Sequence, residues 1–541
     1  MIQVVSGEEY ALKADRQYLT SNSSLLNRGT IYFTSKEGDR VTAAYQETGN
    51  IIVINPKQIV DKNAIYNEIN SHLPIEWEEF EKKAGKVNDP YEEVAKKVDA
   101  DIGVKIQEAR LPGLQVYKQK WRSYPGNELA AATIGFMAYD HEELEGRYGL
   151  EYQYEDTLKR SDESSYANFF VEVFSNIKEQ FSEGEKAEGD IITTIEPNVQ
   201  TYLEQVLKDI NDTWSSDFTA GIVMNPDTGE IIGMGQYPTF DPNNFTNVKD
   251  AKVFSNHLVQ NVHEMGSIIK PLTVAAGIDA GAITPRTTYD DKGFLVLNGK
   301  RISNYDGKGR GIVDMQQVLN QSLNTGVAFI VQKMGNDVFT QYFRNFGLDR
   351  KTGIDFPFEA APLVDNLKST RDIEHATASY GQGIAMTPIS TIRALATLAN
   401  GGKLVNPHLV SQINYKSGLH KTIDPGQPAQ IIKKETADEV TKMLINVVDD
   451  ALLKGTAKLE HYSVAAKTGT AQIANPNGGG YYDDRYLHSF FGYFPAYNPK
   501  FIVFLYTYYP KDVQYASETL TTSFFELTKY LINYYDIPPD R

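Results

Sequence analysis

The stretch Gly266-Ser267-Ile268-Ile269-Lys270-Pro271 joins a Ser-x-x-Lys motif to a strongly apolar segment. Proline lacks a backbone N–H and is tolerated in a helix only within the first turn. The helix should therefore begin near Ser267 and not far upstream of it. Because the following residues are mostly apolar, we predict a buried helix; they include Leu272, Val274, Ala275, Ala276 and Ile278.

The position of Ser267 at a helix start suits nucleophilic chemistry. The helix dipole is positive there and the first backbone N–H groups lack helical partners, which favours a developing oxyanion nearby. Lys270 lies three residues later on the same face, with Cβ atoms about 5–6 Å apart. A serine hydroxyl needs a base to remove its proton, and lysine serves only if burial or a second cation lowers its pKa.

A Ser-x-x-Lys motif alone is a weak signal, because about two matches are expected by chance in a chain of this length. A second match occurs at Ser175-Asn176-Ile177-Lys178, directly before an acidic segment. The context there favours a solvated helix face. The buried context of Ser267 and Lys270 makes this pair the better catalytic candidate.

Three Lys-(Thr/Ser)-Gly tripeptides are candidates for the second cation. Lys351-Thr352-Gly353 precedes a loop, and Lys416-Ser417-Gly418 lies in a polar turn, so both read as solvated turns. Lys467-Thr468-Gly469 lies in a predicted strand of small side chains that continues through Thr470. Small residues let a substrate backbone approach and pair with the strand edge, so we favour the third tripeptide.

Ser322-Leu323-Asn324 is a Ser-x-Asn motif between the other two. Taken alone, it fits a helix with a polar interruption as well as a functional site. In the functional interpretation, Ser322 relays a proton and Asn324 holds both Lys270 and a substrate amide.

Composition excludes several classes of function. The 541 residues carry a formal net charge of −17, so a broad surface for nucleic acid is not expected. Absence of cysteine excludes disulfides, thiol nucleophiles and cysteine-ligated metals, and the histidines show no metal-binding spacing. No run of about 18 apolar residues is present, so no segment of this sequence is expected to span a bilayer as a helix.

The chain divides into two predicted regions. Residues 1–189 read as mixed α and β, with strands at 29–34 and 50–54, helical spacing over 62–110 broken near Pro90, and a charged linker at 179–189. Residues 190–541 predict an α+β domain. Its elements are a helix opening at Pro197, a hairpin over 219–234, strands at 489–494 and 501–508, and a helical stripe of Leu520, Phe524, Leu527 and Leu531.

The three motifs in this order resemble the set found in penicillin-binding proteins and β-lactamases. The chain as a whole resembles a class B penicillin-binding protein, and the resemblance covers most of its length. It extends to segments outside the three motifs: Arg28-Gly29-Thr30-Ile31, Arg122-Ser123-Tyr124-Pro125, Gly146-Arg147-Tyr148-Gly149, Asp241-Pro242-Asn243 and Tyr380-Gly381-Gln382-Gly383.

The resemblance implies a serine transpeptidase fold, an antiparallel sheet flanked by helices, over 190–541. It also implies an elongated α/β pedestal resembling a dimerisation domain over 1–189. The implied substrate is the stem peptide of peptidoglycan ending in D-Ala-D-Ala, and β-lactams should acylate the same serine. No cofactor or metal is implied. A membrane glycosyltransferase is the implied partner, and a single-pass anchor, absent from this chain, would hold the domain outside the cytoplasm.

Residue roles follow from the same resemblance. Ser267 would be the nucleophile, Lys270 the general base and Ser322 a proton relay, while Lys467 would neutralise the substrate carboxylate. Thr468, Gly469 and Thr470 would bind substrate, and the N–H groups of Ser267 and Thr470 would form the oxyanion hole. A β-lactamase or β-lactam sensor shares these motifs, and a non-catalytic cell-wall scaffold could keep the fold, so both alternatives stay open.

Overall fold

The computed structural model of the chain describes residues 27–140, 143–160, 188–475 and 478–541. The second Ser-x-x-Lys motif, at 175–178, and residues 179–187 of the predicted linker lie outside the described residues. Within the described part, no helix is both long enough and apolar enough to cross a membrane.

The N-terminal region combines short helices with strands. Its strands are β1 (Ile31–Thr34), β2 (Arg40–Ile54), β3 (Glu92–Val98), β4 (Leu114–Ser123), β5 (Met137–Asp140) and β6 (Glu143–Gly146). Its helices are α1 (Lys62–His72), α2 (Trp77–Ala84), α3 (Ala100–Glu108), α4 (Ala131–Ile134), α5 (Gly149–Gln153) and α6 (Glu155–Leu158).

The prediction of helix over 62–110 is right for α1, α2 and α3 but wrong for β3. This segment pairs antiparallel with β2 at an edge of the sheet. Its charged side chains stay partly or fully in solvent, whereas Val98 is buried in the local core. Charged edge strands are common because they resist pairing with other chains, but their Glu- and Lys-rich sequence is equally typical of a helix.

The C-terminal region supplies the remaining elements. Its strands are β7 (Gly189–Thr193), β8 (Phe218–Met224), β9 (Ile231–Tyr237), β10 (Thr288–Asp291), β11 (Phe294–Leu297), β12 (Lys300–Ser303), β13 (Gly311–Asp314), β14 (Lys403–Leu404), β15 (Val410–Tyr415), β16 (His420–Thr422), β17 (Ala429–Gln430), β18 (Ala465–Ala474), β19 (Tyr481–Phe494) and β20 (Phe501–Tyr508). Its helices are α7 (Pro197–Trp214), α8 (His257–Gln260), α9 (Lys270–Asp279), α10 (Met315–Asn320), α11 (Asn324–Met334), α12 (Asn336–Asn345), α13 (Asp372–Ala378), α14 (Pro388–Ala399), α15 (Lys434–Asn446), α16 (Ala516–Thr519) and α17 (Thr521–Tyr534).

A five-stranded antiparallel sheet forms the centre of this region, in the order β18-β19-β20-β8-β9. Both faces of the sheet are buried, and neighbouring side chains alternate between them. Phe490 packs with α7 and α17 in one apolar cluster, whereas Phe491 joins the larger cluster that contains Leu272 of α9. Helices therefore cover the sheet on both sides, which confirms the predicted α+β class.

A second, seven-stranded sheet is built from both regions of the chain. β7 pairs in parallel with β1 and antiparallel with β15, which in turn pairs with β16. The predicted boundary between 189 and 190 coincides with the start of β7. The boundary stays a prediction, and the shared sheet joins the two regions through continuous backbone hydrogen bonds.

Buried charges form a network of ion pairs within the N-terminal region. The carboxylate of Glu151, fully buried, accepts from Arg28 Nε and Arg122 Nε, each at 2.6 Å, and Arg122 also donates to the carbonyl of Gly29. Such charges are tolerated inside a protein only when they are paired and hydrogen-bonded. A second link joins the regions directly, because the Asn243 amide bonds both the N–H and the carbonyl of Tyr124.

Candidate active site

Ser267 lies in a short 3₁₀ turn, Gly266–Ile269, that leads directly into α9. Pro271 occupies the first turn of that helix, as the sequence predicts. Ile268 and Ile269 are fully buried, whereas Ser267 is only partly buried and lines a cavity. Within the described part of the chain the Ser267 hydroxyl has no hydrogen-bond partner, so it is available to a ligand.

Close backbone contacts hold this turn in place. Gly266 has a φ of +64°, and a Cβ on it would lie 2.9 Å from the carbonyl oxygen of Thr470. Its N–H donates to the carbonyl of Gly381, which has a φ of +77° and equally little room for a side chain. Both positions therefore require glycine. The turn that contains Ser267 lies between β18 and the loop that contains Gly381.

The Lys270 side chain is fully buried. Its Nζ donates to the Ser322 carbonyl oxygen at 2.5 Å and to the Ser322 hydroxyl at 3.0 Å. Burial lowers the pKa of Lys270 well below its usual value, and the positive charge of Lys467 lowers it further. Lys270 thus meets both conditions for a lysine that acts as a base near neutral pH.

Ser322 is positioned by a break between α10 and α11. It has a φ of +54°, in the left-handed region that side chains other than glycine rarely adopt. This conformation presents both the carbonyl and the hydroxyl of one residue to Lys270. The predicted polar interruption is thus a turn between helices, and strained backbone of this kind commonly occurs at functional sites.

Asn324 begins α11 and lines the cavity, but it does not hold Lys270 in the way that the functional interpretation expected. Its amide donates instead to the Ser303 carbonyl oxygen at 2.9 Å. Among the described residues, Ser322 supplies the hydrogen bonds to the lysine. Asn324 therefore connects the β12 hairpin to the site.

Lys467 lies on β18 and has an exposed fraction of 4%. Burial lowers its pKa to about 8. The Nζ donates to the carbonyl of Thr468 at 3.0 Å, and Lys467, Thr468 and Thr470 all line the cavity. The Thr470 hydroxyl accepts from the Ala516 N–H, which connects the strand to α16.

Gly469 faces the protein behind the strand, and it is not one of the residues lining the cavity. A Cβ at this position would lie 2.4 Å from the Ser489 hydroxyl oxygen and 2.7 Å from the Met265 carbonyl oxygen. That hydroxyl donates to the same Met265 carbonyl at 3.0 Å. The glycine lets the turn that contains Ser267 pack directly against β18.

The other two Lys-(Thr/Ser)-Gly tripeptides lie away from the cavity. Lys416 is exposed in the turn that connects β15 and β16. The backbone N–H of Thr352 donates to the Glu359 carboxylate. Neither segment lines the cavity around Ser267, which agrees with the choice of Lys467.

The cavity has a volume of about 830 Å³. Six of the residues predicted from the sequence line it, namely Ser267, Ser322, Asn324, Lys467, Thr468 and Thr470. Sequence reasoning missed the other residues of its wall, among them Arg301, Tyr305, Gln382 and Tyr515. Of these four, Gln382 lies in a segment that the resemblance had marked.

Comparison with known protein families identifies both regions. The family model of the penicillin binding protein transpeptidase domain matches residues 219–527, more than half of the chain. The chain belongs to the penicillin-binding protein transpeptidase family. The model of the penicillin-binding protein dimerisation domain matches residues 26–194. Together they correspond to the class B arrangement that the resemblance implied.

Relatives and solved structures agree with this family. Stage V sporulation protein D of Bacillus subtilis is 27% identical over 94% of this chain and 78% of its own length. Peptidoglycan D,D-transpeptidase FtsI of Buchnera aphidicola is 26% identical over 100% of this chain and 92% of its own. Penicillin binding protein 2X of Streptococcus thermophilus has the same fold, with a TM-score of 0.77 at 20% identity over 94% of this chain and 80% of that structure.

A penicillin-binding protein in complex with a β-lactam also has this fold. Penicillin binding protein 3 of Mycobacterium tuberculosis, complexed with aztreonam, superposes with a TM-score of 0.73 at 22% identity. The match covers 96% of this chain and 98% of that structure.

Proposed function

We infer that this chain is a peptidoglycan D,D-transpeptidase that uses Ser267 as its nucleophile. The observation that carries the assignment is a fully buried Lys270 whose pKa is lowered by Lys467 and which is hydrogen-bonded to Ser322, a residue that lines the same cavity as Ser267. A neutral amine that can take the proton of a partly exposed serine activates the hydroxyl without a histidine.

In the acylation step, Ser267 Oγ attacks the carbonyl carbon of the penultimate D-Ala of a stem peptide. Its proton passes to neutral Lys270 as the ester bond forms. Ser322, already hydrogen-bonded to that amine, relays a proton to the nitrogen of the terminal D-Ala, which leaves as the C–N bond breaks. Catalytic hydrogen bonds often tighten only when the substrate binds, so Ser267 and Lys270 need to approach at that stage.

Groups at the start of α9 and on β18 stabilise the negative charges of the oxyanion and of the substrate carboxylate. The backbone N–H groups of Ser267 and Thr470 serve as donors to the oxyanion, and removal of one such donor typically costs about 10²–10³ in rate. Lys467, Thr468 and Thr470 hold the terminal carboxylate of the substrate. Protonated Lys467 also disfavours protonation of Lys270, which keeps the base in its active form.

The second step regenerates the enzyme. The amine of a neighbouring stem attacks the ester carbonyl, loses a proton to Lys270 and forms the cross-link, while the ester bond breaks and Ser267 Oγ recovers a proton. A β-lactam undergoes the first step only. Its ring amide bond opens and its nitrogen takes the proton, but the fragment remains attached and occupies the acceptor position.

The proposal extends to the setting of the enzyme. We place the transpeptidase region at 190–541 and the pedestal at 1–189, outside the cytoplasm and held at the membrane by an anchor. A membrane glycosyltransferase would supply the glycan strands whose stems are cross-linked. The family assignment and the link between the two regions support this arrangement.

A cross-linking reaction followed by mass spectrometry tests the function. The protein is incubated with a stem pentapeptide ending in D-Ala-D-Ala and a second stem peptide with a free amine. We expect a peptide dimer and one free D-alanine for each cross-link formed. Rapid hydrolysis of benzylpenicillin without a lasting adduct would instead indicate a β-lactamase, and neither adduct nor product would indicate a scaffold.

The rate of acylation by benzylpenicillin should follow a bell-shaped dependence on pH. Neutral Lys270 is the active form, so the rate rises as pH increases through its lowered pKa. Charged Lys467 is the active form, so the rate falls as pH increases through about 8. Stopped-flow measurements between pH 5 and 10 check this, and Lys467→Arg should remove the falling limb because arginine stays protonated.

A further inference from the structure

The segment over 292–310 has a charge opposite to that of the chain as a whole. It contains five lysines and arginines and a single acidic residue, Asp306, in a chain with a net charge of −17. β11 and β12 form an antiparallel hairpin within this segment. The hairpin contributes Arg301, Ile302 and Ser303 to the wall of the cavity. The segment thus brings one basic side chain into the wall of the cavity.

Arg301 is the basic residue of this segment that lines the cavity. Its guanidinium lies 4.0 Å from the centre of the Phe294 ring, and its Nε donates to the Ser303 hydroxyl at 3.2 Å. By contrast, Arg310 is paired with Asp306. Among the described residues, no carboxylate lies within 4.0 Å of Arg301. A stacked guanidinium is held in one orientation and keeps its other N–H groups free for a ligand.

Among the described residues, Lys467 is the other charged side chain in the cavity wall that Arg301 shares. None of the described residues lining the cavity is an aspartate or a glutamate. The backbone carbonyl of Ser303, two residues after Arg301, accepts the amide of Asn324. Arg301 is therefore connected to the catalytic wall through one short strand. A cation held in a cavity without an acidic partner is a binding position for an anion.

We propose that Arg301 forms a second anion subsite, which binds a free carboxylate of the donor stem peptide upstream of D-Ala-D-Ala. This inference rests on the proposed transpeptidase function. Lys467 takes the terminal carboxylate, so a second cation in the wall of the same cavity suits a substrate with a second negative charge. A guanidinium donates two parallel hydrogen bonds to the two oxygens of a carboxylate, an arrangement that a carboxamide cannot reproduce. Arg301 then favours acidic stems over amidated stems.

The test compares two donor peptides, one with a free carboxylate at its second residue and one with a carboxamide there. One is L-Ala-γ-D-Glu-L-Lys-D-Ala-D-Ala, and the other carries D-isoglutamine at its second position. Release of D-alanine gives kcat/KM for each donor. In Arg301→Gln we expect the value for the acidic donor to fall about threefold to fivefold, as for an exposed ion pair, with little change for the amidated donor. Arg301→Lys should restore part of the preference.

Lys300→Gln is the matched control, because neighbouring residues of a strand point to opposite faces and Lys300 does not line the cavity. This variant should treat both donors as the original protein does. An unchanged preference in Arg301→Gln, or an equal loss in Lys300→Gln, would overturn the subsite and leave the proposed function intact. If the original protein consumed neither donor and was not labelled by benzylpenicillin, the proposed function would fail, and the subsite with it.

Discussion

Ser267→Ala should abolish covalent labelling of this protein by a fluorescent penicillin. The acyl-enzyme is an ester of the serine oxygen, and a methyl group cannot form that bond. Removal of the nucleophile from a comparable serine site costs about 10⁶ in rate, so no band should appear on a gel and no added mass in the intact protein. Lys467, Thr468 and Thr470 stay in place, so reversible binding should persist.

Ser267→Ala should remove the nucleophile without unfolding the protein, because Ser267 contributes little to stability. Its hydroxyl has no partner among the described residues, so the free energy of unfolding should change by less than about 0.5 kcal/mol. Ser175→Ala tests the second Ser-x-x-Lys motif in the same way and should keep full labelling. A penicillin adduct on Ser267→Ala, or loss of labelling in Ser175→Ala, would show that the nucleophile has been misassigned.

Local patterns in the sequence were sufficient to predict strands of the central sheet and three of the helices that cover it, α7, α9 and α17. Pro197 starts α7, and the apolar spacing after it matches a buried face that includes Leu203 and Leu207. Phe490 and Phe491 are both apolar because the sheet is buried on its two faces, which also explains the continuous apolar runs of β19 and β20. These elements could be predicted because their buried positions are occupied by apolar residues, which recur in the sequence with the period of the helix or strand.

Interactions between distant segments left no such pattern in the sequence. The pairing of β7 with both β1 and β15 depends on backbone hydrogen bonds, which any side chains permit. Ser489 donates a hydrogen bond from a neighbouring strand to Met265, next to the turn that contains Ser267, and nothing in its local sequence marks that role. Arg301 lies in a hairpin whose contact with the cavity depends on the path of the whole chain.

The three motifs illustrate the same distinction inside the site. The sequence predicts the partners Ser267, Lys270 and Lys467, because each belongs to a short pattern with a chemical rationale. The left-handed conformation of Ser322 and the hydrogen bond from Asn324 to Ser303 depend on the turn between two helices, which the sequence indicated only as an interruption. The residues that form the site could thus be predicted from the sequence, whereas their hydrogen-bond partners could be known only from the folded structure.

Lys270→Met should lower the second-order rate of acylation by benzylpenicillin about 10²–10⁴-fold, the usual contribution of a general base. Methionine is unbranched and apolar, so it suits the fully buried position of the lysine. It carries no amine to take the proton from Ser267 and none to reach Ser322. Serine labelling should persist at long incubation times, because the nucleophile itself remains.

The pH profile separates loss of the base from a loss of structure. In Lys270→Met the rise of the rate with pH should disappear, whereas the decline near pH 8 should remain, because Lys467 still titrates there. A distorted site would lower the rate at every pH and leave the shape unchanged. Lys178→Met, in the other Ser-x-x-Lys motif, is the control and should match the original protein. Acylation of Lys270→Met within tenfold of the original rate, with the rising limb intact, would exclude this lysine as the base and require another acceptor for the serine proton.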